Sequence, residues 1–370
     1  MTVQFNSKLA TIPGYTPGVP KGHSAEDVAG STLAQLASNE SPYAPLPEVV
    51  DAISAAAGSM NRYPDPEATL LRKRLGERHG VDPALIAPAN GSCEILLAAA
   101  DALLEPGAEI VYAWPAFSMY PILAAMSGAR EIRVPLADGE VHDLEAMLAE
   151  ITAATQLVLV CNPNNPTGTY IPFGEIKSFV ERVPDHVTII LDEAYIEFQV
   201  EDDPEVSIQL LDQHENLVIL RTFSKSHSLA GLRVGYAIGS PAFRAAVDAV
   251  RQPFSVNALA QAAAVEALKH GETIRAQILT AIQERTRVED GFHAHGLETA
   301  VTGANFSWVS LGKNGIENED HVIADLAEAG IIVRAGRLLG GPGWLRISYG
   351  TPEENNRMLE ALGDSVRRHS

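Results

Sequence analysis

Short apolar runs rich in Leu, Ile and Val alternate with helical patterns through the first two thirds of the chain. Runs 156–161, 187–191 and 217–220 are the clearest of these. A continuous apolar run of this length indicates a strand that is buried on both faces. Because helical patterns lie between the runs, their order predicts a mostly parallel sheet flanked by helices. Further strands are expected within 109–117, 131–136 and 234–238, and helices at 47–57, 67–79, 95–104 and 143–151.

The pattern changes after Gly239. Helical periodicity predicts helices at 241–251 and 258–269, and a long amphipathic helix at about 272–292 bridges two units. Strands at 305–311, 331–334 and 344–349, with a helix at about 320–329, predict a smaller α+β domain. We therefore expect an N-terminal arm at 1–40 that contributes to the small domain, a large domain at 41–250 and a small domain at 251–370.

Composition narrows the class of protein. The 370 residues include 47 acidic and 27 basic side chains, and this net charge of −20 argues against nucleic acid and anionic membranes as partners. No apolar run reaches membrane-spanning length, and residues 1–30 lack the pattern of a secretion signal. Cys93 and Cys161 fit no metal or redox spacing, and no histidine pair suggests a metal site. We expect a cytoplasmic protein without a metal.

Polar side chains follow the predicted central strands directly. Asn165 follows the first, Asp192 and Tyr195 follow the second, and Lys225 and Arg233 follow the third. In open parallel sheets, ligands bind in the crevice outside the carboxyl ends of the strands. These five side chains are therefore expected to face one crevice.

This set of side chains suits one cofactor. A lysine can form a Schiff base with pyridoxal phosphate, and an aspartate can keep the pyridine nitrogen protonated. A phenol and an amide, here Tyr195 and Asn165, can donate hydrogen bonds to the ring oxygen. An arginine and hydroxyl groups suit a phosphate dianion. The phosphate candidates are Thr222, Ser224 and Arg233.

With these residues in place, the sequence resembles the fold-type I pyridoxal-phosphate aminotransferases, and among them the histidinol-phosphate aminotransferase subgroup, close to aromatic aminotransferases. The matching segments are 36–43, 61–65, 161–168, 192–195, 222–225 and 345–348. The resemblance implies an aspartate-aminotransferase-like α/β fold, a homodimer, pyridoxal phosphate as cofactor and small-molecule substrates. It also implies that Lys225 is the catalytic lysine and that Asp192 and Tyr195 assist it.

Other candidates surround this set. Gly91, Ser92 and Cys93 precede a helix, where free backbone N–H groups form an anion site. The resemblance implies that Phe117 stacks on the pyridine ring and that Tyr63 reaches the cofactor phosphate of the partner subunit. It also makes Tyr15, in a Pro/Gly-rich arm, a possible substrate contact. Asn39 ends a short apolar run and is a further substrate-binding candidate.

Two arginines near the C-terminus bear on the substrate. Arg346 lies between Leu345 and Ile347, so its side chain points to the opposite face of a strand. If that face lines the crevice, its forked guanidinium is the natural partner of an α-carboxylate. Arg334 is a second candidate, for which we expect a solvent-facing position.

The resulting prediction is a homodimeric aminotransferase that converts histidinol phosphate and 2-oxoglutarate to imidazole-acetol phosphate and glutamate. The alternative is a phenylalanine or tyrosine aminotransferase, since some histidinol-phosphate enzymes carry tyrosines where this chain has Phe117 and Phe254. A lyase or decarboxylase is disfavoured if Arg346 grips the carboxylate that would leave. A ligand-sensing regulator would need a DNA-binding segment, which the sequence does not suggest.

Overall fold

The structure is a computed structural model that describes residues 4–14 and 33–369. The strands are β1 Ala34–Gln35, β2 Ile86–Ala89, β3 Glu109–Trp114, β4 Arg130–Pro135, β5 Thr155–Cys161, β6 Thr188–Asp192, β7 Leu217–Thr222, β8 Gly235–Ile238, β9 Glu298–Thr299, β10 Phe306–Ser310, β11 Ile331–Ile332, β12 Arg334–Ala335 and β13 Trp344–Ser348. The α-helices are α1 Pro47–Ala57, α2 Thr69–His79, α3 Ser92–Leu103, α4 Met119–Ser127, α5 Leu144–Ala149, α6 Phe173–Val180, α7 Pro241–Val250, α8 Ala258–Ala267, α9 Gly271–Ala294, α10 Gly315–Glu328 and α11 Pro352–His369.

Seven strands of the described chain form one large sheet in the order β2-β8-β7-β6-β5-β3-β4. Strands β4, β3, β5, β6 and β7 pair in parallel, whereas β8 runs antiparallel to both β7 and β2. The prediction of a mostly parallel central sheet is therefore confirmed.

Both faces of this sheet are covered, which explains the continuous apolar runs. On β5, Val158 and Val160 join one apolar cluster, and Leu157 and Leu159 join another cluster on the opposite face. Burying each such side chain stabilises the fold by about 1.5–3 kcal/mol. Rigid strands of this kind hold the polar residues at their carboxyl ends in fixed positions.

A second, antiparallel sheet is built from the C-terminal third, in the order β12-β13-β10-β9. Its apolar face packs with the long helix α9 and with α10 and α11 around a separate apolar cluster. The N-terminal segment returns to this part of the molecule, because β1 pairs in parallel with β11. The division into domains at 40 and 250 stays a prediction.

Several local predictions were wrong. No strand was predicted at residues 86–89, which form β2, whose small residues face β8. The strand expected at 331–334 is split into β11 and β12, and the helix expected at 320 begins at Gly315. The C-terminal helix α11 was not predicted. None of these errors concerns the carboxyl ends of β5, β6 and β7.

Candidate active site

A cavity of about 330 Å³ opens at the carboxyl ends of the central strands. It lies between the large sheet and the edge of the small sheet. Most of the predicted site residues line it: Asn39, Ser92, Cys93, Phe117, Asn165, Asp192, Tyr195, Thr222, Ser224, Lys225, Arg233, Arg334 and Arg346. The expectation that the strand-end residues face one crevice is met.

Lys225 lies at the centre of the cavity wall, just after β7. Its ammonium donates a hydrogen bond to the carbonyl of Ser38 at 2.9 Å and sits 5.9 Å from the ring centre of Tyr195. Burial, together with the nearby guanidinium of Arg346, lowers the pKa of Lys225 to about 8. The neutral form of this amine, which a nucleophile or general base requires, is therefore more accessible near neutral pH than it is in an ordinary lysine.

Asp192 ends β6 and is only 3 % exposed. The hydroxyl of Tyr120 donates to its Oδ2 at 3.1 Å, and the N–H of Ala194 donates to its Oδ1 at 3.2 Å. Burial raises the pKa of Asp192 to about 6 despite these two bonds. A buried carboxylate of this kind fits a cationic ligand group, such as a protonated pyridine nitrogen, at its side of the cavity.

Sequence reasoning missed Tyr120. This residue is buried on α4 and packs edge-on against Phe117, with ring centres 5.8 Å apart. Nothing in its apolar surroundings distinguishes it from an ordinary core aromatic residue, so only the structure connects it to Asp192.

Three close approaches build a cradle for an anion. Gly91 has a φ of 76° immediately before α3, and a Cβ there would lie 2.6 Å from the guanidinium of Arg233. A Cβ on Gly235 would lie 2.5 Å from the backbone N of Ser92. The hydroxyls of Thr222 and Ser224, 2.9 Å apart, lie on the same wall. Free N–H groups, a guanidinium and hydroxyls together suit a phosphate.

Cys93 follows Ser92 in the first turn of α3. Burial raises the pKa of its thiol, so the side chain is not a ready thiolate. Cys93 therefore lines the cradle, and its backbone lies where the helix offers N–H groups.

A hydrogen-bonded network joins the two sheets across the cavity. The amide of Asn39 donates to the hydroxyl of Tyr195 at 3.0 Å, and the hydroxyl of Ser348 donates to Asn39 at 2.9 Å. Arg346 donates to Asn165 Oδ1 at 2.6 Å. Because β13 carries Arg346 and Ser348, this network fixes the small sheet against the cofactor-side residues.

Arg334 corrects the expectation of a solvent-facing position. It is only 5 % exposed and lines the cavity beside Arg346, because β12 pairs with β13 in a register that places the two residues opposite each other. The edge of a small antiparallel sheet thus presents two buried guanidinium groups to one cavity.

The remaining candidates lie elsewhere. The side chain of Tyr63 is 82 % exposed, stacks on Phe254 with ring centres 4.6 Å apart, and is not part of the cavity of its own chain. Tyr15 lies outside the described residues. Within residues 4–14 and 33–369, no helix has the length and apolarity needed to cross a bilayer, and no cluster of three metal-ligating side chains occurs.

Comparison with known proteins shows the family. The family described as aminotransferase class I and II matches residues 31–362. The chain is 41% identical over 365 residues to a histidinol-phosphate aminotransferase of Geobacillus thermodenitrificans, covering 99% of each protein. It is also 43% identical over 374 residues to an aromatic amino acid aminotransferase of Thermobifida fusca, covering 99% of this chain and 98% of that protein.

Solved structures of aminotransferases have the same fold as this chain. The structure of histidinol-phosphate aminotransferase from Sinorhizobium meliloti in complex with pyridoxal-5'-phosphate superposes with a TM-score of 0.90, at 29% identity, over 100% of this chain and 99% of that chain. An aspartate aminotransferase variant from Thermus thermophilus superposes with a TM-score of 0.82 at 25% identity, covering 98% of this chain and 100% of that one. The aspartate-aminotransferase-like fold is confirmed.

The chain therefore belongs to the class I and II aminotransferases. It is a fold-type I enzyme, and its cofactor is pyridoxal phosphate. The cavity fits that cofactor independently, because a buried carboxylate, a cradle of backbone N–H groups, hydroxyls and a guanidinium, and a lysine of lowered pKa line the same cavity.

The raised pKa of Asp192 predicts a pH-dependent loss of stability. The folded-state pKa of this carboxylate is about 6, above the usual value near 3.8, so ionising it opposes folding when no cofactor is bound. The penalty is absent below pH 4, grows between pH 4 and 6, and reaches about 3 kcal/mol above that. Asp192→Asn should therefore raise the free energy of unfolding of the cofactor-free protein at pH 7.5 by about 2–3 kcal/mol, measured by urea titration, and most of this gain should vanish by pH 4.5.

The exposed Asp138 provides the matched control, because Asp138→Asn should change this free energy by less than about 0.5 kcal/mol. With pyridoxal phosphate bound, Asp192→Asn should lose most turnover, since an amide cannot hold the ring nitrogen protonated. A stability gain that is the same at pH 4.5 and pH 7.5 would contradict the assignment.

Proposed function

We propose that this aminotransferase acts on histidinol phosphate and 2-oxoglutarate, producing imidazole-acetol phosphate and glutamate. The observation that carries the proposal is the pair of buried guanidinium groups, Arg334 and Arg346, at the substrate side of the cavity. One guanidinium suffices for an α-carboxylate, whereas two adjacent ones suit the dianion of a phosphate ester. The name of the Geobacillus relative supports the same substrate.

The roles of the chain's own residues follow from the geometry. Pyridoxal phosphate, when bound, supplies an electron sink for the carbon that loses its proton. Asp192 would keep the ring nitrogen protonated, Tyr195 and Asn165 would hold the ring oxygen, and the cradle of Gly91, Ser92 and Arg233 would hold the phosphate.

Lys225 is the proton carrier. With pyridoxal phosphate bound, its Nζ would take the proton from the substrate carbon that bears the amino group and carry it during the transfer. Its pKa of about 8 lies about one unit from neutral pH, which favours both directions of proton transfer there. Phe117 forms an aromatic wall of the cavity, where it limits the tilt of a bound ring.

A second substrate class has specific support. Phe117 in the cavity and Phe254 beside Tyr63 are phenyl groups that cannot donate a hydrogen bond to a phosphate. The Thermobifida relative, named as an aromatic amino acid aminotransferase, is as similar as the histidinol-phosphate relatives. An enzyme that transfers the amino group of phenylalanine or tyrosine is therefore the alternative.

A kinetic comparison decides between the two substrates. We expect kcat/KM for histidinol phosphate to exceed that for phenylalanine by at least about tenfold, with 2-oxoglutarate as acceptor, which corresponds to about 1.4 kcal/mol of additional transition-state binding. A preference for phenylalanine would replace the proposal with the aromatic alternative, and turnover of neither would contradict both.

Arg346 tests the anion site. Losing a charge-assisted contact in a buried site costs about 2–5 kcal/mol, so Arg346→Ala should lower kcat/KM for glutamate by at least about a hundredfold. The variant should still bind pyridoxal phosphate, because Arg346 is not part of the cradle of Gly91, Ser92 and Arg233. Arg337→Ala is the control, because Arg337 pairs with Glu319 and Asp320 outside the cavity and should leave glutamate turnover intact. An unchanged glutamate half-reaction in Arg346→Ala would refute the role.

We also propose that the enzyme works as a homodimer in which Tyr63 completes the site of the partner subunit. The supporting observation is that Tyr63 and Phe254 form an exposed aromatic pair outside their own cavity. Large exposed aromatic groups mark interaction surfaces.

Mixed dimers provide the test. Tyr63→Phe preserves the stack on Phe254 and removes only the hydroxyl, while Lys225→Ala removes the catalytic amine. A mixed dimer of these two variants contains one site with both groups intact, so random 1:1 mixing should restore about a quarter of the wild-type sites. Mixing Lys225→Ala with Asp192→Asn is the control: both residues belong to the same chain's site, so activity should not return. Equal recovery in both mixtures, or none with Tyr63→Phe, would exclude the crossing role.

A further inference from the structure

A row of polar residues crosses the large sheet on the face opposite the cavity. Glu193 directly follows Asp192 at the end of β6, and Arg221 directly precedes Thr222 on β7. Tyr236 on β8 lies opposite Arg221 in the antiparallel register. These three strands are neighbours in the sheet, so the row spans the strand ends that carry the cofactor-side residues.

The row is joined by hydrogen bonds. Arg221 donates through Nε to Glu193 at 3.0 Å and through Nη1 to Glu205 at 3.2 Å. The other oxygen of Glu205 contacts His79 Nδ1 at 2.7 Å, and His79 Nε2 lies 2.8 Å from the hydroxyl of Tyr236. The chain Glu193–Arg221–Glu205–His79–Tyr236, which we call the polar row, therefore connects β6, β7 and β8 through side chains.

Most of the polar row is buried, although the side chain of Glu205 is 34 % exposed, and the row holds two carboxylates for the one guanidinium of Arg221. Arg221 and Glu193 are each 2 % exposed. Although burial acts to raise it, the hydrogen bond from His79 and the charge of Arg221 lower the pKa of Glu205 to about 2. Burial lowers the pKa of His79, which favours the neutral ring, and its two nitrogens bridge the carboxylate of Glu205 and the phenol of Tyr236.

A buried ion pair is a poor device for stability alone. Desolvating both charges costs about as much as their attraction returns, and apolar residues of similar volume often stabilise a fold as well. The planar guanidinium of an arginine instead fixes the spacing and orientation of the groups that accept its N–H hydrogen bonds. The geometry of the strand ends is therefore the property that this row can control.

The residues on the cavity side of the same strand ends are those proposed to bind the cofactor. Since successive side chains of a strand point to opposite faces, Asp192 and Thr222 turn toward the cavity where Glu193 and Arg221 turn away. Gly235, next to Tyr236, approaches the backbone of Ser92 so closely that a Cβ would lie 2.5 Å from its nitrogen. Rotating any one of these strand ends would move a group that holds the ring nitrogen or the phosphate.

We propose that Arg221, acting through the polar row, is a positioning residue that holds the cofactor-binding ends of β6, β7 and β8 in register. The inference rests on the cofactor site of the proposed function, and it is independent of which amino donor or keto acid the enzyme uses. Arg221 does not touch the cavity; it acts through Asp192, Thr222 and the Gly235–Ser92 contact.

The test measures cofactor binding rather than turnover. Glu193→Gln preserves the size of the side chain and weakens its bond with Arg221, and Arg221→Met removes the fork. Each purified cofactor-free variant is titrated with pyridoxal phosphate. We expect Kd to rise at least about threefold in Glu193→Gln and at least about tenfold in Arg221→Met. At saturating cofactor, the visible circular dichroism per bound cofactor should also change, because the ring is held at a different tilt.

Glu109→Gln is the matched control. Glu109 is also buried and pairs with Arg130 and the hydroxyls of Thr152 and Thr155, but it lies at the amino end of β3, away from the carboxyl ends of the strands that line the cavity. This variant should lose stability in urea while its Kd and circular dichroism stay at wild-type values.

The outcomes separate the inference from a general loss of stability. A Kd change below threefold in Glu193→Gln, or an equal change in Glu109→Gln, overturns the positioning role, and this holds even if Arg221→Met does not fold. Failure of the wild-type protein to retain pyridoxal phosphate on Lys225 after borohydride reduction would instead contradict the cofactor site itself.

Discussion

The burial of one carboxylate organises the active site. Asp192 stands at the end of a strand that is covered on both faces, where an ionised group loses most of its hydration. Two hydrogen bonds, from Tyr120 and from the N–H of Ala194, do not compensate for that loss, because burial still raises its pKa to about 6. The cofactor-free protein therefore carries a carboxylate that a cationic ring would stabilise. Since a ligand that binds only the folded state adds to stability, cofactor and fold support each other.

A second electrostatic constraint acts on the other side of the cavity. Arg346 lies close enough to Lys225 to contribute, after burial, to the lowered pKa of its amine. A substrate anion that pairs with Arg346 would cancel part of this repulsion and make the amine more basic when the substrate is present. If Arg346 binds the substrate as proposed, the same guanidinium would set both substrate binding and the proton affinity of Lys225. This coupling follows from the cavity wall, where the small sheet brings Arg334 and Arg346 against the end of β7.

The sequence predicted the strand ends well because the signal was local. Asn165, Asp192, Tyr195 and Lys225 each follow an apolar run within a few positions, and parallel strands bring their carboxyl ends together. Contacts between residues that are far apart in the sequence have no local pattern from which they could be predicted. The hydroxyl of Tyr120 comes from a helix 72 positions before Asp192, and its neighbours are those of any core aromatic residue.

The misreading of Arg334 has a related cause. An arginine at the end of a short apolar stretch usually faces solvent, and its burial depends on the pairing of β12 with β13, which local periodicity does not encode. The same holds for Arg221: in the sequence it reads as a charged residue at a strand end, and only the packing shows that two carboxylates surround it.

The charge distribution explains how an acidic protein can select small anions. The chain carries a net charge of −20, so its surface repels extended polyanions at long range. Inside the cavity the balance is reversed, since Lys225, Arg233, Arg334 and Arg346 face Asp192 and Glu40. At physiological ionic strength the field of exposed charges decays within about 8 Å, whereas charges at a cavity wall are screened far less. A substrate small enough to enter the cavity experiences the cationic wall, while a macromolecular anion experiences mainly the acidic surface. The position of the few basic side chains, rather than the total charge, therefore decides which anions the cavity can attract.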